Sequence, residues 1–164
     1  NGTPNGNGLI NMLECFNRDM NENKELLVLI NENTKMGLAS TKELLKLIKE
    51  KDNKIKKVLE DELNKYEELY KKCKTLMKKN KVQSEKSGLL KNLTATLAMK
   101  MEVNKDNSDS KLASILIRGF TMGNVDIEAK IKSYKKEASK DILSLAREVL
   151  EFGENEIKLL KDFL

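Results

Sequence analysis

The side chains with most to offer chemistry in this chain are four acids, Glu62, Glu67, Asp126 and Glu154. Carboxylates are hard ligands suited to iron or manganese. Helical bundles that hold two such ions add imidazole, with a Glu from one helix and Glu-x-x-His from the next. This chain contains no histidine, so that spacing cannot occur. Three residues after Glu67 and Glu154 stand Tyr70 and Ile157. Without histidine there is also no Ser-His or Cys-His nucleophile, and no phosphate-binding glycine loop follows a strand pattern. No catalytic residue and no cofactor are therefore expected. An all-carboxylate ion site drawn from the four acids remains the one metal reading open.

These acids must sit on helices. The 164 residues include one proline, at position 4, and 8 glycines. Charged residues make up 35% and aromatics 4%, the profile of a helical protein with a Lys/Glu surface. From Asn21 onward apolar residues recur with a helical period. Five helices are predicted, at about 22–50, 54–79, 86–103, 109–136 and 140–164. Their apolar stripes include Leu26, Ile30, Gly37, Thr41, Leu44 and Ile48 in the first, and Ile55, Leu59, Leu63, Tyr66, Leu69, Cys73 and Met77 in the second. The short third stripe is Leu89, Leu90, Leu93, Leu97 and Met101. Leu112, Leu116, Gly119, Gly123 and Ile127 form the fourth, and Ile142, Ala146, Val149, Leu150, Ile157, Leu160 and Leu164 the last. On the wheel Glu67 and Glu154 lie at stripe edges. Glu62, Glu156, Asp126 and Lys130 lie more centrally, so Lys130 is expected to pair with Glu62 or Asp126, since a buried carboxylate is costly alone.

Residues 1–19, "NGTPNGNGLINMLECFNRD", differ in composition and carry the proline. They are expected to be a non-native or flexible arm, with Met20 as the natural start and Asn21 or Asn23 capping the first helix. Residues 20–164 form a single domain. Within it, Met36-Gly37 matches Met122-Gly123, and Leu63 and Glu67 match Leu150 and Glu154, which suggests two duplicated helical hairpins. About 28 residues join them, enough to run the length of the bundle and set the second and fourth helices parallel. Gly37, Gly119 and Gly123 then read as helix-packing positions on inward faces.

The layout resembles the ferritin-like superfamily. More narrowly, "NTKMG" (33–37) and "IRGFTMGNVDI" (117–127) resemble a group of small ferritin-like proteins of low-GC Gram-positive bacteria of clostridial type. The resemblance implies an all-α, ferritin-like four-helix bundle with a short crossover helix. It brings no activity that can be carried over, and at most a role in stress or sporulation physiology.

Charge and cysteine usage narrow the partners. The net charge is +5, but Lys and Glu interleave. The densest basic run, Lys71 to Lys81, closes a helix, where cations complement the dipole. It lacks aromatics for stacking bases, so no nucleic acid is expected. Cys15 and Cys73 have no metal or redox spacing. No apolar run approaches a membrane span. The expectation is a cytoplasmic binding or scaffolding protein, with a homo-oligomer or a protein partner allowed. The alternatives are a divergent carboxylate metal oxidoreductase and a module that lays "SGLLKNLTATLAMKMEV" (87–103) on a membrane surface or partner groove.

Overall fold

The computed structural model describes residues 6–84 and 87–164, with backbone alone for 16–20 and 87–93. Five α-helices follow in order: α1 Gly6–Leu47, α2 Lys56–Lys79, α3 Ser87–Lys105, α4 Asp109–Tyr134 and α5 Lys140–Leu160, closed by a 3-10 turn at Lys161–Phe163. Among the described residues there is no strand.

α1 is longer than the expected first helix. It continues upstream of Asn21 without a break to Gly6. Asparagine lowers helix propensity without interrupting a helix, and no proline lies between position 4 and the end of the chain. At 1.5 Å per residue α1 is about 63 Å long against about 36 Å for α2. The described side chains of its first turns, Leu9, Ile10, Met12 and Leu13 among them, are exposed. Residues 1–5 of the expected arm lie outside the described residues.

α1 and α2 form one hairpin and α4 and α5 the other; α1 packs on both α4 and α5, and α5 also packs on α2, while the backbones of α2 and α4 stay apart and meet only through side chains. Polar contacts fix the directions. Asp109, in the first turn of α4, accepts from the Asn53 side chain at 2.8 Å and from the Lys54 backbone at 3.1 Å, so α4 starts beside the α1–α2 turn. At the opposite end Asn23 of α1 receives the Ser139 N–H at 2.8 Å and donates to its hydroxyl at 2.9 Å. Lys72–Glu148 and Lys79–Asp141 run α2 antiparallel to α5. Hence α3 traverses the bundle from the end of α2 to the start of α4, and α2 and α4 are parallel, as the length of the connection suggests.

Both caps are tertiary. Neither Ile55 before α2 nor Ser139 before α5 makes a side-chain cap of its own. Asp109 and Asn23 supply the missing acceptors from neighbouring helices. α2 ends on Lys81 at φ 55°, with Val82 N–H bonded to Met77 O at 2.9 Å and Lys81 N–H to Lys78 O at 3.3 Å. This is a Schellman closure without its usual glycine.

The core follows most of the expected stripes. Leu26, Ile30, Leu44, Ile48, Ile55, Leu59, Leu69, Cys73, Leu112, Ile127, Ile142, Ala146 and Leu160 are all buried. Three stripes need correction. Leu97 and Met101 of α3 are exposed, and Met99 and Val103 are buried in their place; Leu89, Leu90 and Leu93 lie outside the described side chains. Leu164 is exposed. Gly119 is exposed too, and a Cβ there would meet nothing, so it is no packing position. α4 has turned so that Phe120, one residue on, faces inward.

Candidate functional site

The middle of the bundle is built around Gly37. Its missing side chain lets the Tyr66 ring of α2 press on the α1 backbone; a Cβ would land inside that ring. Tyr66 stacks on Phe120 of α4 at 5.9 Å between centroids and meets Phe152 of α5 edge-on at 5.0 Å. Phe120 and Phe152 meet edge-on at 5.6 Å. Three helices thus each send one aromatic ring into the centre, and the fourth yields space. Gly123 and Gly153 play the same part for asparagines: a Cβ on Gly123 would strike Asn33, and one on Gly153 would strike Asn124. Gly153, buried on α5, was not singled out by sequence.

One helical turn from Tyr66 and Phe152 lie Glu62 and Glu156. Glu62 is fully buried, and among the described residues no group except the Glu156 carboxyl meets its oxygens. Burial, then the neighbouring Glu156, holds its pKa far above the usual carboxylate range. Glu156 is half-buried, has one buried oxygen without a partner, and is also raised, first by burial. Like charges so close in a low dielectric cannot both ionise cheaply. At neutral pH the pair therefore holds a proton on Glu62. Tyr66 feels the same surroundings and its phenol is pushed well above its ordinary pKa, by burial first. Of the other buried polar residues, Thr34 donates to Ile30 O at 2.8 Å and Thr41 to Gly37 O at 2.7 Å, while Asn31 donates to the Ser84 hydroxyl at 3.4 Å and leaves its Oδ1 without a donor.

Glu156 also lines a cleft of about 440 Å³ between α2 and α5, together with Asp61, Lys65, Glu148, Glu151, Phe152 and Asn155. Lys65 and Lys72 both reach Glu148, and Lys57 reaches Asp61 at 2.8 Å. Glu151 and Glu156 enter no ion pair among the described residues.

The four acids chosen from sequence do not converge. Glu62 is in the core, Glu67 is half-buried on α2, and Asp126 and Glu154 are exposed. Among the described residues no group of three or more His, Cys, Asp or Glu could hold a metal ion. Lys130 pairs with neither Glu62 nor Asp126; it reaches Glu25 at 3.1 Å and the Tyr134 hydroxyl at 3.3 Å. Tyr134 donates to the same Glu25 carboxylate, and that donation does most to lower the Glu25 pKa. Cys73 is buried, contacts Leu27 O, and has its thiol pushed up to about 12 by burial, so it is inert as a nucleophile. Glu156, the true partner of Glu62, was visible on the helical wheel, but its role depended on which helices adjoin.

No family model matches the chain, and neither a curated protein nor a solved structure matches it. No helix of the described residues is long and apolar enough to cross a membrane.

Proposed function

We propose that this protein is a non-catalytic binding or scaffolding module on a ferritin-like frame, acting in the cytoplasm of a bacterium of clostridial type. One observation carries the reading. Where a di-metal bundle would bring carboxylates and imidazoles together, Tyr66, Phe120 and Phe152 fill the space against Gly37. A packed aromatic centre leaves no open coordination position of the kind oxygen chemistry needs. The two helical hairpins and the crossover path of α3 support the frame, and the duplication suggested by Gly37 and Gly123 fits it. Aerobic oxidation of Fe(II) tests the proposal. The rate with protein should equal that in buffer; saturable acceleration would contradict it.

The adjoining buried carboxyls of Glu62 and Glu156 favour a second reading, a divergent carboxylate metal oxidoreductase. It gains nothing from Glu67, Asp126 or Glu154, which lie elsewhere. Exposed Leu97 and Met101 on α3 keep open a surface that meets a protein partner, a second copy of the chain or a membrane. Co-sedimentation with anionic vesicles separates the last from the first two.

A further inference from the structure

We propose that residues 6–20, where α1 runs on past the end of α2, form an antiparallel helix pair with the same stretch of a second copy of this chain. The inference stands apart from the binding-module reading and needs no ligand.

The overhang follows from levels along α1. Tyr66 of α2 lies against Gly37, and Cys73 meets Leu27 O at 3.5 Å, so the two helices are antiparallel. α2 ends at Lys79, six residues after Cys73, whereas α1 extends twenty-one residues back from Leu27 to Gly6. The difference of fifteen residues is about 22 Å of helix. The other elements stop short of it as well. The α4–α5 turn reaches α1 where Ser139 bonds Asn23, and the Ser84 hydroxyl accepts from Asn31, so the chain after α2 has already turned back along the bundle. Leu9, Ile10, Met12 and Leu13 are each more than half exposed.

The exposed face continues a seam. Inward residues of α1 recur alternately three and four apart as Leu27, Ile30, Thr34, Gly37, Thr41 and Leu44, all buried. Counting back in the same steps gives Asn23, Met20, Phe16, Leu13 and Leu9. This is the heptad spacing of helices that pack along one another. It crosses Met20 unbroken, although the composition of residues 1–19 suggests a separate arm. Met12 holds the flanking place that buried Leu26 holds two heptads on. Gly8, Asn11 and Asn17 are weak helix formers, and so short a helical stretch is marginal in water without packing. A second helix on the seam supplies that packing.

Charge and sterics select the occupant. The only charged residues in 6–20 are Glu14, Arg18 and Asp19. Helices that lie on anionic membranes are rich in Lys and Arg on the polar face, and a strongly charged partner of either sign finds little countercharge here. An apolar seam of low charge is self-complementary, and two-fold pairing of identical surfaces is the commonest assembly of soluble chains. Beyond Met20 the seam is covered by the chain's own helices. A parallel mate would run into them, whereas an antiparallel mate leaves the two bundles at opposite ends. Such a pair buries an area at the low end of protein interfaces, which makes the dimer reversible.

The test combines sedimentation equilibrium of the full chain with pulsed dipolar spectroscopy of a nitroxide on Cys15, which is exposed while Cys73 is buried. A concentration-dependent monomer–dimer equilibrium is expected. The two Cys15 labels should couple at short range, because paired helix axes lie about 10 Å apart. Leu9→Lys combined with Leu13→Lys should abolish the dimer, with circular dichroism checking that the bundle stays folded. A chain that is monomeric at every concentration would overturn the proposal. So would a dimer that the double variant leaves whole, or one whose Cys15 labels show no coupling because another face pairs. A monomer that co-sediments with anionic vesicles through residues 6–20 would assign the seam to a membrane and equally end the pairing. The labelled parent needs no substitution, so the distance measurement decides the matter even if the double variant unfolds.

Discussion

Glu62 concentrates the physics of the site in one side chain. A carboxyl whose pKa rises on folding binds more protons folded than unfolded, so stability falls as pH rises between the two values. The ordinary value is 4.5 and the buried one about 10. The penalty is thus absent below about pH 4.5 and grows through neutrality toward pH 10. Glu62→Gln keeps the shape and removes the titration. Its melting temperature should exceed the parent's at pH 8 by more than at pH 5; parallel pH profiles would show that Glu62 reaches solvent. The glycines separate as clearly. Gly119→Ala, in an exposed helix interior, should stabilise by about 0.5–1 kcal/mol. Gly37→Ala should destabilise by about 1–3 kcal/mol, because Tyr66 must move. Thermal melts of the two variants should therefore shift in opposite directions. Sequence placed Gly37 and Gly123 correctly, since both fall on a stripe whose register is fixed by leucines and isoleucines on either side. It misplaced Gly119 because a glycine carries no hydrophobic signal of its own; Phe120 beside it decides which way α4 turns.

At the scale of elements, the helices hold one another's ends. Asp109 accepts from the Asn53 side chain and from the backbone N–H groups of Lys54 and Ile55. Asp109→Ala removes these together and should cost about 1–3 kcal/mol, measured by denaturant titration. Lys81 sits in the left-handed region at φ 55°, where a side chain costs about 1–2 kcal/mol. Lys81→Gly should raise the melting temperature despite glycine's greater freedom when unfolded. Helix number and most inward faces were legible because periodic apolar residues and the turns "KDN" and "NKDNSDS" mark them. The upstream reach of α1 was not, since weak helix formers without proline give no stop signal. The α3 face was not either. Among its described side chains Met99 and Val103 face inward, and Leu97 and Met101 point outward although they share a stripe.

For the whole molecule, two hairpins and a traversing helix enclose a centre of three aromatic rings, with a strained acidic pair one turn away that opens to a cleft. Which acids would matter depended on helix adjacency. Glu62 and Glu156 are 94 residues apart and meet only because α2 and α5 run antiparallel side by side. Glu67, half-buried on α2, and Glu154, exposed on α5, do not join them. On the proposed function, this frame binds without metal chemistry. Elemental analysis of protein purified from cells supplemented with iron and manganese tests it most directly: the account expects traces far below one ion per chain, and a stoichiometric, tightly held complement of either metal would contradict it.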